Sequence, residues 1–262
     1  MPGCLETTMD EFLRLRLGAE PIDNLPMTTE QRQGRKADYF LDERRIVIEV
    51  KLLTDSRIDS VRETMDSWRR EPDWPLFRGE LSVAEIAAMH PRGPELHRAL
   101  FVAASKVIGR CARNANEQIG ETVRVFRLGA PQGVLLLLNE SVDILEPGML
   151  GTAAMNAIRA MKADGTRELA HLDGVIIISW AHEVRSPNGE LASPVIWIAS
   201  EDLTAGEREG AFETYFIREW SDFLRLPLHD GGLIESPDQV NAIGAHTPRP
   251  PIVLDGDRLP LT

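Results

Sequence analysis

The segment Lys36 to Lys51, Lys-Ala-Asp-Tyr-Phe-Leu-Asp-Glu-Arg-Arg-Ile-Val-Ile-Glu-Val-Lys, restricts the possible folds more than any other part of the chain. Two apolar runs, Tyr39 to Leu41 and Ile46 to Ile48, flank the polar stretch Asp42 to Arg45, which is the pattern of a β-hairpin. A turn centred between Glu43 and Arg44 pairs Leu41 with Ile46 and Asp38 with Glu49. Side chains alternate along a strand, so one face carries Tyr39, Leu41, Ile46, Ile48 and Val50, and the other carries Phe40 and Val47. A hairpin that is apolar on both faces belongs in the middle of a covered sheet.

The same alternation puts Glu49 and Lys51 on the face of Phe40, projecting toward Asp38. Alternating charges on a strand are usually a solvated face, but the flanking apolar residues argue for burial. Two carboxylates and an ammonium placed there are costly unless a cation or a phosphate compensates them. Magnesium commonly takes one or two carboxylates, keeps several waters and accepts a phosphate oxygen. Asp38 and Glu49 offer the carboxylates for Mg2+ or Mn2+, with the Val50 carbonyl as a third ligand. Lys51 is placed to hold or help deprotonate an attacking water and to offset charge that develops on a phosphate. Arginine cannot be that base, because it stays protonated. The chain has only four lysines (Lys36, Lys51, Lys106 and Lys162) against twenty-five arginines, so a lysine in a strand core is a selective choice.

An aspartate on one strand and Glu-x-Lys on the next resemble the PD-(D/E)xK, or restriction-endonuclease-like, nuclease superfamily; the matching residues are Asp38, Glu49 and Lys51. Ala37 stands where the family name has proline. The resemblance implies a metal-dependent nuclease acting on nucleic acid, DNA in the first place. Many members supply a further acid from the first helix. Glu11 and Glu6 both lie on a helix expected over Leu5 to Leu17, and Glu11 is the preferred extra metal ligand. In the superfamily the helix after the Glu-x-Lys strand flanks the active site and often contributes a lysine or glutamine. Lys106 and Gln118 resemble such positions, on a long helix expected over Glu95 to Gly120. Lys106, Arg110 and Arg113 form a basic stripe on that helix, suited to substrate phosphates or equally to a plain solvated face.

The remaining pattern alternates helices and strands. Helices are expected over Arg57 to Arg70, Ser82 to Met89, Gly148 to Lys162 and Ala205 to Arg225. Strands are expected over Gly133 to Asn139, Leu172 to Ser179 and Val195 to Ala199, the later ones parallel. The expected fold is α/β: a restriction-endonuclease-like core, with a mixed sheet and antiparallel hairpin flanked by helices. It spans residues 1–200, with a helical insertion at about 55–92 that either sets selectivity or covers the sheet. Residues 201–262 form a C-terminal helix and a Pro/Gly-rich tail packed on that core.

The net charge of −12 argues against tight nonspecific binding of a polyanion over the whole surface. Residues 1–131, however, hold 20 basic and 21 acidic side chains, while 132–262 hold 9 and 20, so the hairpin half is nearly neutral. No apolar stretch approaches the roughly 18 residues of a membrane span, and the first residues lack a signal pattern, so a cytoplasmic protein is expected. Cys4 and Cys111 have neither redox nor metal-ligand spacing. His171-Leu-Asp173 and Trp180-Ala-His182 bracket a strand but lack a third ligand at usable spacing, and there is no G-x-S-x-G, P-loop or dinucleotide fingerprint. The expectation is a Mg2+-dependent endonuclease, with a homodimer as an option for cutting two strands. The alternative is a catalytically inactive module of the same fold that acts through protein or nucleic-acid contacts.

Overall fold

The computed structural model describes residues 4–54, 58–76, 81, 83–185, 191–201, 212–224 and 247–248. It is a mixed six-stranded sheet, in the order β1-β2-β3-β4-β5-β8, with helices on both faces. The strands are β1 (Glu20–Pro21), β2 (Tyr39–Leu41), β3 (Ile46–Leu53), β4 (Gln132–Asn139), β5 (Gly174–Ser179) and β8 (Val195–Ala199). The short strands β6 (His182–Arg185), β7 (Leu191–Ala192) and β9 (Thr247–Pro248) make a second, three-stranded sheet.

The hairpin has the register its pattern predicts, with Tyr39 opposite Ile48, Phe40 opposite Val47 and Leu41 opposite Ile46. Its turn runs through Asp42, Glu43 and Arg44 with φ of 49°, 51° and 68°, a left-handed path that L-residues rarely take. Arg45 N–H closes it on the Asp42 carbonyl at 2.9 Å, and the Arg44 guanidinium lies over the Phe40 ring. β3 then pairs parallel with β4 along eight residues, and β4 pairs parallel with β5. β8 departs from the expectation, running antiparallel to β5 with Gly174 opposite Ala199. A parallel return needs a crossover, usually a helix, and none lies among the described residues between Ser179 and Val195.

Two apolar layers follow from the alternation. Phe40, Val47, Leu53, Leu135, Leu137, Val175 and Ile177 face α3 (Asp59–Arg69), α4 (Val83–Met89), α5 (Gly93–Phe126) and α6 (Pro147–Ile158). Leu41, Ile46, Ile48, Leu136, Leu138, Ile176 and Ile178 face α1 (Leu5–Glu11) and α7 (Phe212–Leu224). After α1 the chain widens into a π-helical turn, Phe12–Arg16, in place of the continuous helix expected to Leu17. Phe12 there packs edge-on against Phe216 and Trp220 of α7, at 5.2 and 4.9 Å between ring centroids. The short α2 (Thr29–Gln33) opens on a capping box between Thr28 and Gln31.

α5 is longer than expected, running through Gly120 to Phe126. Gly120 is not a stop: a Cβ there would come 2.5 Å from the His171 ring, so the glycine gives the β4–β5 connection room to approach the helix. The helix ends at Arg127, which is left-handed at φ 52° while Leu128 N–H closes on Val123 O at 3.0 Å. The Ser82 cap, the start of the helix expected from Ala205 and the tail from Pro227 fall outside the described residues, apart from β9.

Candidate active site

Asp38 stands one residue before β2, where the hairpin ladder gives way. Its N–H still donates to the Ile48 carbonyl at 3.0 Å, but its side chain replaces the next backbone acceptor: Oδ2 takes the Val50 N–H at 2.7 Å. The backbone groups of one strand residue point the same way, so the Val50 carbonyl faces that side of β3 as well.

Glu49 follows on β3 with its side chain 1% exposed. Oε1 accepts from Lys51 Nζ, and Oε2 is buried with no hydrogen-bond partner among the described residues. Burial, then the charge of Asp38, push the Glu49 carboxyl up to about 8, against the pull of Lys51. Asp38 is raised too, chiefly by burial, with the Val50 N–H and Lys51 opposing.

α5 fixes the other side of the site. Lys51 Nζ donates to Gln118 Oε1 at 2.9 Å, and Gln118 Nε2 donates to the Lys36 carbonyl at 2.9 Å. One turn later, Thr122 Oγ1 accepts the Ala37 N–H at 2.8 Å and donates to the Gln118 carbonyl at 2.7 Å. The strand entering Asp38 is thus tied to the helix through two side chains. Thr122 carried no signal in the sequence, since a threonine inside a helix looks like many others.

The other expected site residues are placed elsewhere. Glu11 is exposed on α1, which packs against the opposite face of the sheet from Glu49, so the first-helix acid does not join the pair; Glu6 is exposed on the same helix. That helix instead offers Asp10, which accepts the Tyr39 hydroxyl at 2.7 Å and, together with burial, holds the phenol well above its ordinary value. Lys106, Arg110 and Arg113 are exposed along α5 and are not among the groups that touch Lys51, whereas Gln118 is. His182 is buried between Ser179 Oγ at 2.9 Å and the Asp143 carbonyl at 2.8 Å, and Asp173 accepts from Gly133 N–H and Arg167. Both residues serve local structure.

A buried carboxylate whose proton affinity is raised by burial and by the charge of the half-buried Asp38, with one oxygen unused, fits a divalent cation in place of the proton. No group of three or more His, Cys, Asp and Glu side chains with metal-holding geometry occurs among the described residues. The protein's donors would therefore be the two carboxylates and backbone oxygen, a set that suits magnesium better than zinc. Comparison with known protein families, curated proteins and solved structures gives no match.

Proposed function

We propose that the protein is a metal-dependent nuclease of the restriction-endonuclease-like type that hydrolyses phosphodiester bonds, with DNA as the first substrate to test. The observation that carries this reading is Glu49, buried beside Asp38 with one carboxylate oxygen unpartnered while Lys51 holds the other. Asp38, Glu49 and the Val50 carbonyl would hold Mg2+ or Mn2+, which when bound supplies Lewis-acid polarisation of a phosphate oxygen. Lys51, steadied by Gln118, orients the attacking water and offsets negative charge as it builds on the phosphate. Water adds to phosphorus, the bond to the departing sugar oxygen breaks, and that oxygen leaves with a proton taken from the water. The basic stripe Lys106, Arg110 and Arg113 offers contacts to flanking phosphates.

The test is cleavage of plasmid DNA and of a labelled RNA with Mg2+ or Mn2+. Wild-type protein is expected to cut, and Asp38→Asn, Glu49→Gln and Lys51→Ala each to lose about 100-fold or more in rate. Full activity in Asp38→Asn and Lys51→Ala together would remove these residues from the mechanism. The second reading, a noncatalytic module, draws on the absence of a third acid at the pair among the described residues. It predicts no cleavage and no Mn2+ heat in a titration.

A further inference from the structure

Lys36 is the one lysine besides Lys51 at this site, and Gln118 and Thr122 do not account for its side chain. The main chain around it is fixed, with its carbonyl held by Gln118 and the next N–H held by Thr122. The side chain is 13% exposed, yet among the described residues the ammonium has only loose company: the Gly34 carbonyl at 3.4 Å and Asp23 Oδ1 at 3.8 Å. An ammonium has three donors, and hydrogen bonds of full strength lie near 2.9 Å, so this cation is short of acceptors. Asp23 itself is 89% exposed, and an ion pair to so well-solvated a carboxylate is cheap to break. Ile22 N–H donates to the Asp38 carbonyl at 2.9 Å, so Asp23, the next residue, and with it the Lys36 ammonium lie on the Asp38 side of the site.

Charge balance gives the ammonium a role. A divalent cation that displaces the Glu49 proton adds net positive charge beside Lys51 and Lys36, which the negative charge of a phosphodiester offsets. Lys51, held by Glu49 and Gln118, is used at the reacting phosphate and its water, so Lys36 is the lysine left for a further phosphate oxygen.

Resting on the nuclease reading above, we infer that Lys36 is a substrate-binding residue that leaves Asp23 to contact a phosphate oxygen of the nucleic acid lying over Asp38 and Glu49. The experiment compares wild type, Lys36→Gln, Lys36→Arg and Asp23→Asn. Cleavage kinetics are measured with Mn2+, and binding of a fluorescent duplex in Ca2+ is followed against salt concentration. Lys36→Gln should raise KM on the order of 10-fold with kcat within about twofold, and lower the salt slope of binding by about one. Lys36→Arg should restore the slope, Asp23→Asn should lower KM, and Mn2+ affinity should be unchanged in Lys36→Gln. A wild-type KM and salt slope in Lys36→Gln would overturn the assignment, as would a fall in kcat together with lost Mn2+ affinity, the mark of a merely structural lysine. Wild-type protein that neither cuts nor binds would remove the nuclease reading itself, whereas active wild type with an indifferent Lys36→Gln removes only this role.

Discussion

Glu49 keeps its proton to about pH 8, where a solvated glutamate loses it near 4.5. Its folded value lies above its unfolded one, so the stability contributed by the bound proton is fully present below about 4.5 and is lost as pH rises through about 8. Asp38 is shifted in the same direction. The melting temperature of metal-free protein should therefore fall between those two pH values, and Glu49→Gln should flatten most of the fall; a flat wild-type profile would refute the shift. A metal that takes the proton's place must expel it, so Mn2+ binding at pH 7 should release about one proton, visible as calorimetric heats that change with buffer. At this scale Asp38, Glu49 and Lys51 were legible because alternation along a strand is strict. Glu11 was misplaced because helical periodicity shows which residues share a helix face but not which face of the sheet the helix covers. Lys36 carried a weak signal, its spacing of two from Asp38.

Among the elements, α5 sets the site. Gln118 and Thr122 are one turn apart, and together they hold Lys51, Lys36 and Ala37. Thr122→Val keeps the shape but leaves the buried Ala37 N–H without its acceptor, a loss of about 1–3 kcal/mol that urea melts would register. An unchanged midpoint would mean that the strand entry finds another partner. The hairpin was readable down to its register, because a one-residue slip would turn every apolar side chain to the wrong face. The end of α5 was not readable. Glycine usually punctuates a helix, and only the proximity of His171 shows that Gly120 is there for space. The direction of β8 was equally hidden, since a short apolar run reads the same both ways.

The molecule as a whole keeps its two layers separate. α7 closes the layer opposite the site, with Trp220 2% exposed against Phe12. Trp220→Ala should cost about 3–5 kcal/mol by leaving a cavity, yet Mn2+ affinity of the folded protein should match wild type. A parallel loss of affinity would show that the layers are coupled through the sheet. No helix among the described residues is long and apolar enough to cross a membrane. The uneven charge was legible from the start, and it leaves the half that builds the site close to neutral. Asp38 has one more consequence. Its carboxylate stands in for a main-chain acceptor opposite Val50, so it is part of the sheet as well as of the site. A descendant released from the proposed catalytic role could lose Lys51 or Glu49 and relieve a buried charge, but losing Asp38 would leave an N–H stranded. In such a lineage the aspartate should be the last of the three to go.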